Sequence, residues 1–350
     1  MKTNYKLMTF LLSAIFVMSS MAGYSQTATT VFSDDFNRAD ISPGGDPEVT
    51  YTVFQTGTAV PIIESSIILR LPNVANENAR TTLTASTVNF AHPFNTIIET
   101  IDADSIVWTF NIRQNYNGRL TGIDDAASRG IAAVLLASSS DLSAANGYAL
   151  VNGGAAPINY RLVKFAGGLY TAANITELQQ GQTLSDNRVY TSIKVVFIPA
   201  TKTWKLYDRV DGSASGGAYA DPESNATPYV FAGSVVDATY TGVALNAFGF
   251  THKYSAATSF NMWVDNYKVT AYTTEPTSVA KANAGGLAVY AQGRQIAVRG
   301  GAGTATVYNS LGQKLCEQAL NGVETTINRY FNAGVYIVKA DNKTVKVIMK

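Results

Sequence analysis

The chain has little cysteine, little histidine and little charge. Among its 350 residues Cys316 is the single cysteine, so no disulfide can form within the chain. With no histidine near it in sequence to activate it, this thiol reads as a small buried hydrophobe. His92 and His252 are the only histidines, which argues against a Ser-His-Asp hydrolase and against a histidine-rich zinc site. Charged residues make up 15% of the chain and the net charge is +1, so a basic nucleic-acid-binding surface is not expected. Helical periodicity is nearly absent, and no internal repeat is visible. One long apolar run exists, at residues 7–17.

That run lies in "MKTNYKLMTFLLSAIFVMSSMAGYSQ", where Lys2 and Lys6 precede it and small residues follow. This is the three-part layout of a secretory signal peptide, so residues 1–25 are expected to be removed, with cleavage after Ala22 or Ser25. The run is shorter than the ~20 apolar residues that a spanning helix needs. No later segment is longer, so the mature chain is expected to carry no transmembrane span. No cysteine lies near the junction to take a lipid.

Tyr, Val, Thr, Ile and Phe dominate short segments separated by Gly, Asn, Asp, Ser and Pro, which is an all-β composition. In the strand 106–113, Ile106, Trp108, Phe110 and Ile112 share one face; Thr109, Asn111 and Arg113 share the other. Trp108 is therefore expected in the core. Segments 192–197 and 203–207 flank "IPATK" as a hairpin, with Trp204 and Leu206 inward. "IAAVLL" (131–136) reads as a buried strand, and 140–145 as one helical turn. Further strands are expected at 51–55, 66–71, 96–101, 148–151, 160–165, 244–251 and 260–271. Apolar sheet faces must be covered, so these strands imply two stacked sheets. "TTEPTSVAKANAGG" reads as a linker. After it, shorter and closer strands suit an immunoglobulin-like sandwich, which its size makes the less stable part. The expected fold is all-β: a jelly-roll sandwich over 26–273, a linker over 274–286 and a small immunoglobulin-like β-sandwich over 287–350.

"TVYNSLGQKL" (306–315) and "FNAGVYIVKADNKTVKVIMK" (331–350) together resemble a type IX secretion C-terminal sorting domain, type A, found in the Bacteroidetes. The matching features are Tyr308-Asn309, Leu311-Gly312-Gln313, the run Gly334-Val335-Tyr336-Ile337-Val338, and a lysine-bearing last strand ending at Lys350. Phe331 stands where that family more often has leucine. The resemblance implies export by the type IX secretion machinery to the outer-membrane surface or the extracellular space, with removal of the tail near the linker. The segment 26–273 is similar to the concanavalin A-like lectin/glucanase jelly rolls. "VFSDDFNRAD" (31–40) resembles their first strand and "FNMWVDNYKVTAY" (260–272) their last. The resemblance implies that these two strands are neighbours.

Related glucanases set carboxylates on alternate positions of one strand, so that acid and nucleophile face the same cleft. In "IIETIDADSI" (97–106), Glu99 and Asp102 point to opposite sides and Asp102 and Asp104 fall in a turn. That catalytic pattern is missing, and no catalytic residue is assigned. A structural Ca2+ would draw on Asp34 or Asp35 together with Asp265, oxygen ligands brought close by pairing of the terminal strands; ordinary turn carboxylates are the other reading. Sugars need an aromatic plate and fork-like polar groups. The segment 113–130 offers Arg113, Tyr116, Arg119, Asp125 and Arg129, to which Tyr148 and Arg161 add; these are the candidate ligand-binding residues. The loop 212–228 is rich in Gly and Ser and has no assigned role. The functional expectation is a surface protein that binds a polysaccharide or another extracellular polymer without turnover. A glycoside hydrolase or lyase with dispersed carboxylates and a structural or adhesive protein are the alternatives.

Overall fold

The computed structural model describes residues 25–88, 103–124, 128–224, 226–257, 260–275, 287–340 and 343–349. The leader, the strand expected at 96–101 and all but the start of the linker lie outside the described residues. There are two compact units: one is Gln26–Thr274 and the other includes Glu275–Lys350.

The strands of the larger unit are β1 (Ser25–Asp34), β2 (Tyr51–Gln55), β3 (Ile62–Glu64), β4 (Ile68–Leu71), β5 (Ala79–Ser86), β6 (Ser105–Gln114), β7 (Gly130–Ala137) and β8 (Gly147–Asn152). They continue with β9 (Tyr160–Phe165), β10 (Ile175–Gln180), β11 (Tyr190–Ile198), β12 (Thr203–Gly212), β13 (Val230–Val236), β14 (Ala247–Tyr254) and β15 (Met262–Glu275). An eight-stranded sheet runs β13-β12-β11-β6-β15-β4-β3, with β1 also on β15; a seven-stranded sheet runs β10-β9-β8-β7-β14-β5-β2. First and last strands pair, as the jelly-roll resemblance implies.

Alternation explains how the sheets stack. Trp108, Phe110, Phe197 and Trp204 from one sheet meet Leu83, Leu135, Tyr148, Phe248 and Phe250 from the other in a single buried cluster. Tyr148 crosses the layer to lie 4.4 Å from Trp204, ring centre to ring centre. The seven-stranded sheet is also covered on its outer side. Ala132, Val134, Ala149, Val151, Val163 and Phe165 pack there under Ile123, Leu142, Ala145, Leu169 and Tyr170. That second layer is why "IAAVLL" shows no period: both faces of β7 are apolar. The 140–145 segment is a turn, not the expected helical one; Asp141 Oδ1 accepts from Ser143 N at 2.9 Å, and Leu169 N donates to Leu142 O. A short 3-10 turn, Ala172–Asn174, is the helical element among the described residues.

Around Asn111 and Arg209 the outer face of the eight-stranded sheet is polar and covered. Asn111 is fully buried. Its Nδ2 donates to Ser192 Oγ and to Ala220 O at 2.9 and 3.0 Å. Arg209 donates to Ser224 O and Asp221 O and pairs with Asp211 at 2.6 Å. The 212–228 loop is therefore the cover of this part of the face, held by side chains of β6 and β12.

The smaller unit has β16 (Ala288–Gln292), β17 (Gln295–Arg299), β18 (Ala302–Asn309), β19 (Lys314–Asn321), β20 (Glu324–Thr326), β21 (Gly334–Ala340) and β22 (Lys343–Met349). They form sheets β16-β17-β20 and β19-β18-β21-β22, a small immunoglobulin-like sandwich. Val298, Val307, Phe331, Val338, Val347 and Met349 fill its core. Cys316 packs partly buried against that core, and burial raises its thiol pKa, so it behaves as a hydrophobe. No helix among the described residues is long and apolar enough to cross a membrane.

Candidate functional site

Of the seven residues expected at one binding surface, the six that are described do not share one. Arg113 lies on the outer face of the eight-stranded sheet. Its Nε donates to Arg188 O at 2.9 Å, its Nη1 to Tyr190 OH at 2.8 Å, and its guanidinium sits 4.0 Å from the Tyr190 ring centre. Tyr148 corrects the expectation most clearly: it is 2% exposed and cannot stack on a ligand. Its hydroxyl donates to Asp237 Oδ1 at 2.7 Å, and burial followed by that carboxylate raises its pKa. Tyr116 is partly buried against Phe260, and its hydroxyl accepts from Arg129 Nη1 at 3.2 Å. Asp125 lies outside the described residues. Arg119 and Arg161 meet at one turn. Arg119 donates to Gly154 O, while Arg161 donates to the carbonyls of Gly153, Ala155 and Pro157 and pairs with Glu177 at 3.1 Å. Arg161 is 6% exposed, so it shapes the 153–157 turn instead of reaching into solvent.

That turn walls a hollow of about 210 Å³ on the outer face of the seven-stranded sheet. Ile123, Val151, Val163 and Ile175 give it an apolar floor; Thr121, Asp124, Gly153, Gly154 and Glu177 supply polar groups around it. Thr121 N and Gly122 N both donate to Arg129 O, which closes the facing loop. Gly153 has φ +154°, and a Cβ there would lie 3.0 Å from Gly122 backbone atoms, so the two walls meet through backbone that only glycine allows.

A second hollow of about 450 Å³ opens on the same face, lined by Phe54, Thr56, Arg80, Thr82, Asp141, Ser143 and Tyr170 among others. Tyr170 OH is hydrogen-bonded to Thr82 Oγ1 at 2.9 Å, and Thr82 to Thr251 at 2.7 Å. The Arg80 guanidinium lies 3.3 Å from the Tyr170 ring centre. Segment 168–172 contributes Tyr170 to this hollow and Ala172 to the first. Sequence reasoning missed these residues. The signal was the alternation in "ARTTLTAS", where Thr82 and Thr84 face out and Leu83 and Ala85 face in.

A third hollow, about 440 Å³, lies where β1 and β15 pair, with Asp34, Asp35, Asp46, Asp221 and Glu223 in its lining. Here the expected calcium donors approach one another, but they do not fit the ion. Asp34 Oδ1 accepts from Phe36 N and Arg38 Nη1, and Oδ2 from Arg38 Nη2 and Tyr51 OH, at 2.5–3.0 Å. Asp35 accepts from Asn37 N and Nδ2. Calcium needs about six to eight oxygens with lone pairs to spare. Among the described residues no three His, Cys, Asp or Glu side chains are grouped to hold a metal.

Asp265 stands behind this cluster. Burial first, then the charges of Asp35 and Asp34, raise its pKa from 3.8 to about 6 against a lowering bond from Asn266 N. The folded chain thus holds this proton more tightly than the unfolded chain does. Its contribution to stability is full below the unfolded carboxyl range and declines as pH rises toward 6. Asp265→Asn should flatten that decline and raise Tm at pH 7; a thermal melt series from pH 4 to 7 checks it.

No described strand carries the Glu-x-Asp-x-Glu or Glu-x-Asp-x-x-Glu pattern. Glu99 and Asp102 lie outside the described residues, and Asp104 N donates to Tyr272 O at the start of β6.

No protein-family model matches the chain, and no curated protein matches it. Solved structures do. The carbohydrate recognition domain of Emp47p is 12% identical, covers 69% of this chain and 95% of its own, and has a TM-score of 0.42. Peanut lectin with a nine-residue peptide is 11% identical over 72% of this chain and 100% of its own, TM-score 0.42. Winged bean acidic lectin complexed with methyl-α-D-galactose is 8% identical over 71% of this chain and 100% of its own, TM-score 0.44.

Proposed function

We propose that the Gln26–Thr274 unit binds carbohydrate on the outer face of its seven-stranded sheet, without turnover. The observation that carries this is the pair of hollows on one rigid sheet face. Each combines polar groups with apolar or aromatic side chains, the mixture that sugar rings and hydroxyls require. Glycoside hydrolysis needs two carboxyl groups free to act as acid and nucleophile or base. Of the two carboxylates lining the smaller hollow, Glu177 is committed to Arg161. The chain is read as exported to the outer-membrane surface, with the C-terminal unit recognised by the type IX machinery. In support, β21 and β22 pair in register from Gly334↔Met349 to Ala340↔Lys343, which holds the last strand in a folded sheet and makes a shape a receptor can read.

The mature chain on a glycan array, beside a reducing-sugar release assay, tests the binding reading: retention of a glycan with no release is expected. Phe54→Ala should weaken that binding by about tenfold, ~1.4 kcal/mol. Sugar release at enzymatic rates would replace this reading with a hydrolase. Deleting residues 285–350 should strand the chain in the periplasm; unchanged surface display would remove the export reading.

A further inference from the structure

The carbohydrate-binding reading is the premise of this inference, which names the kind of sugar that the smaller hollow, of about 210 Å³, takes. Val151 of β8 and Val163 of β9 face outward, since Leu150 and Leu162 alternate with them into the core between the sheets. Ile175 of β10 and Ile123 of the loop before β7 complete the floor. These four aliphatic side chains can neither donate nor accept a hydrogen bond. A hydroxyl pressed onto them gives up its water and gains no partner, whereas a methyl group gains by burial.

The rim is a set of acceptors. Arg161, the cation in the lining, is engaged by the carbonyls of Gly153, Ala155 and Pro157 and by Glu177. Glu177 stands opposite Val163, and its other oxygen accepts from Gln180 Nε2 at 2.6 Å. Asp124 differs. Among the described residues neither of its carboxylate oxygens accepts a hydrogen bond: Oδ1 is buried without a partner, and Oδ2 is open to the hollow that Asp124 lines. Lys253 feels this charge without pairing with it. A carboxylate half withdrawn from water and given no donor is costly to keep, and the chain supplies no donor. The two carboxylates also repel an acidic sugar. We propose that the smaller hollow receives the methyl group of a neutral sugar, either a hexose deoxygenated at its terminal carbon or an N-acetylated hexosamine. The methyl group lies on the aliphatic floor, and a neighbouring hydroxyl or amide N–H donates to Asp124 Oδ2.

Calorimetric titration of the mature chain decides this. The probes are matched pairs with and without the methyl group: L-fucose beside L-galactose, L-rhamnose beside L-mannose, and N-acetylglucosamine and N-acetylgalactosamine beside glucose and galactose. Glucosamine and galactosamine, with free amines, show whether the carboxylates select charge alone. At least one methyl-bearing sugar should bind about tenfold tighter than its counterpart, and which pair shows it identifies the source of the methyl group. Ile175→Ser, at a half-buried position of an edge strand, should cut that ratio to about threefold or less. Asp124→Ala should weaken both members about tenfold and leave their ratio unchanged. Ala172→Tyr, at an exposed position of the lining, should fill the hollow and block both. Equal binding within every pair, an unchanged ratio in Ile175→Ser, or full binding by Ala172→Tyr overturns the inference and leaves carbohydrate binding in place. Free amines that bind more tightly than the N-acetylated forms overturn the methyl assignment. No sugar bound here while a glycan is retained on the array overturns this inference alone; no binding in either experiment overturns the carbohydrate-binding reading with it.

Discussion

Replacing Trp204 by alanine is expected to destabilise the larger unit by about 3–5 kcal/mol. The side chain is 1% exposed and sits at the meeting point of both sheets. Its ring centre lies 5.7 Å from Trp108 in a stacked pair, 4.6 Å from Phe197 and 4.4 Å from Tyr148 of the facing sheet. Alanine removes all three ring contacts and leaves a void that stiff neighbouring strands cannot close. For a unit of this size each kcal/mol moves Tm by roughly 2–4 °C, so a fall on the order of 10 °C follows. The buried indole N–H has no hydrogen-bond partner among the described residues. Trp204→Phe keeps most of the ring contact and removes that unsatisfied donor, and should cost well under half as much. Calorimetry of the two variants checks both statements; a loss below about 1 kcal/mol for alanine would mean that this ring does not join the two sheets.

Arg209→Met should have an effect of similar size by a different route. The Arg209 and Asp211 side chains are 2% and 0% exposed and 2.6 Å apart. Arg209 also donates to Ser192 Oγ and to the carbonyls of Asp221 and Ser224. Breaking such a pair leaves a buried carboxylate without its cation, which costs about 3–5 kcal/mol. It also leaves the loop carbonyls without a donor. The loss should therefore appear twice, as a lower unfolding midpoint in urea and as faster protease cleavage within 212–228. The double variant Arg209→Met, Asp211→Leu removes both charges and should lose less than the sum of the single changes. Cleavage of the loop at the wild-type rate in Arg209→Met would show that other contacts hold it.

The correct and mistaken expectations divide along physical lines. Where one face of a strand meets the core and the other meets polar groups, the period of two is visible, as at Ile106, Trp108, Phe110 and Ile112, all of which are buried. The hairpin of β11 and β12 and the seven strands of the smaller unit were legible for the same reason. Tyr148 was misplaced because β8 is buried on both faces and "NGYALVNGG" carries no period to read. The 212–228 loop has the composition of a free loop. Its anchors, Arg209 and Asn111, lie in β12 and β6, which sheet pairing brings together under it.

The sequence by itself determined the all-β class and the inward set of most strands. These follow from side-chain alternation and turn chemistry, which act between near neighbours. Only the tertiary structure decided which strands share a sheet, which sheet faces are covered, and hence that Arg113 and Arg161 lie on different faces while Arg80 and Lys253 lie side by side. Sheet membership comes from pairing between strands far apart in the chain, and the energy that selects it is spread over a whole buried layer, so no local pattern of residues encodes it.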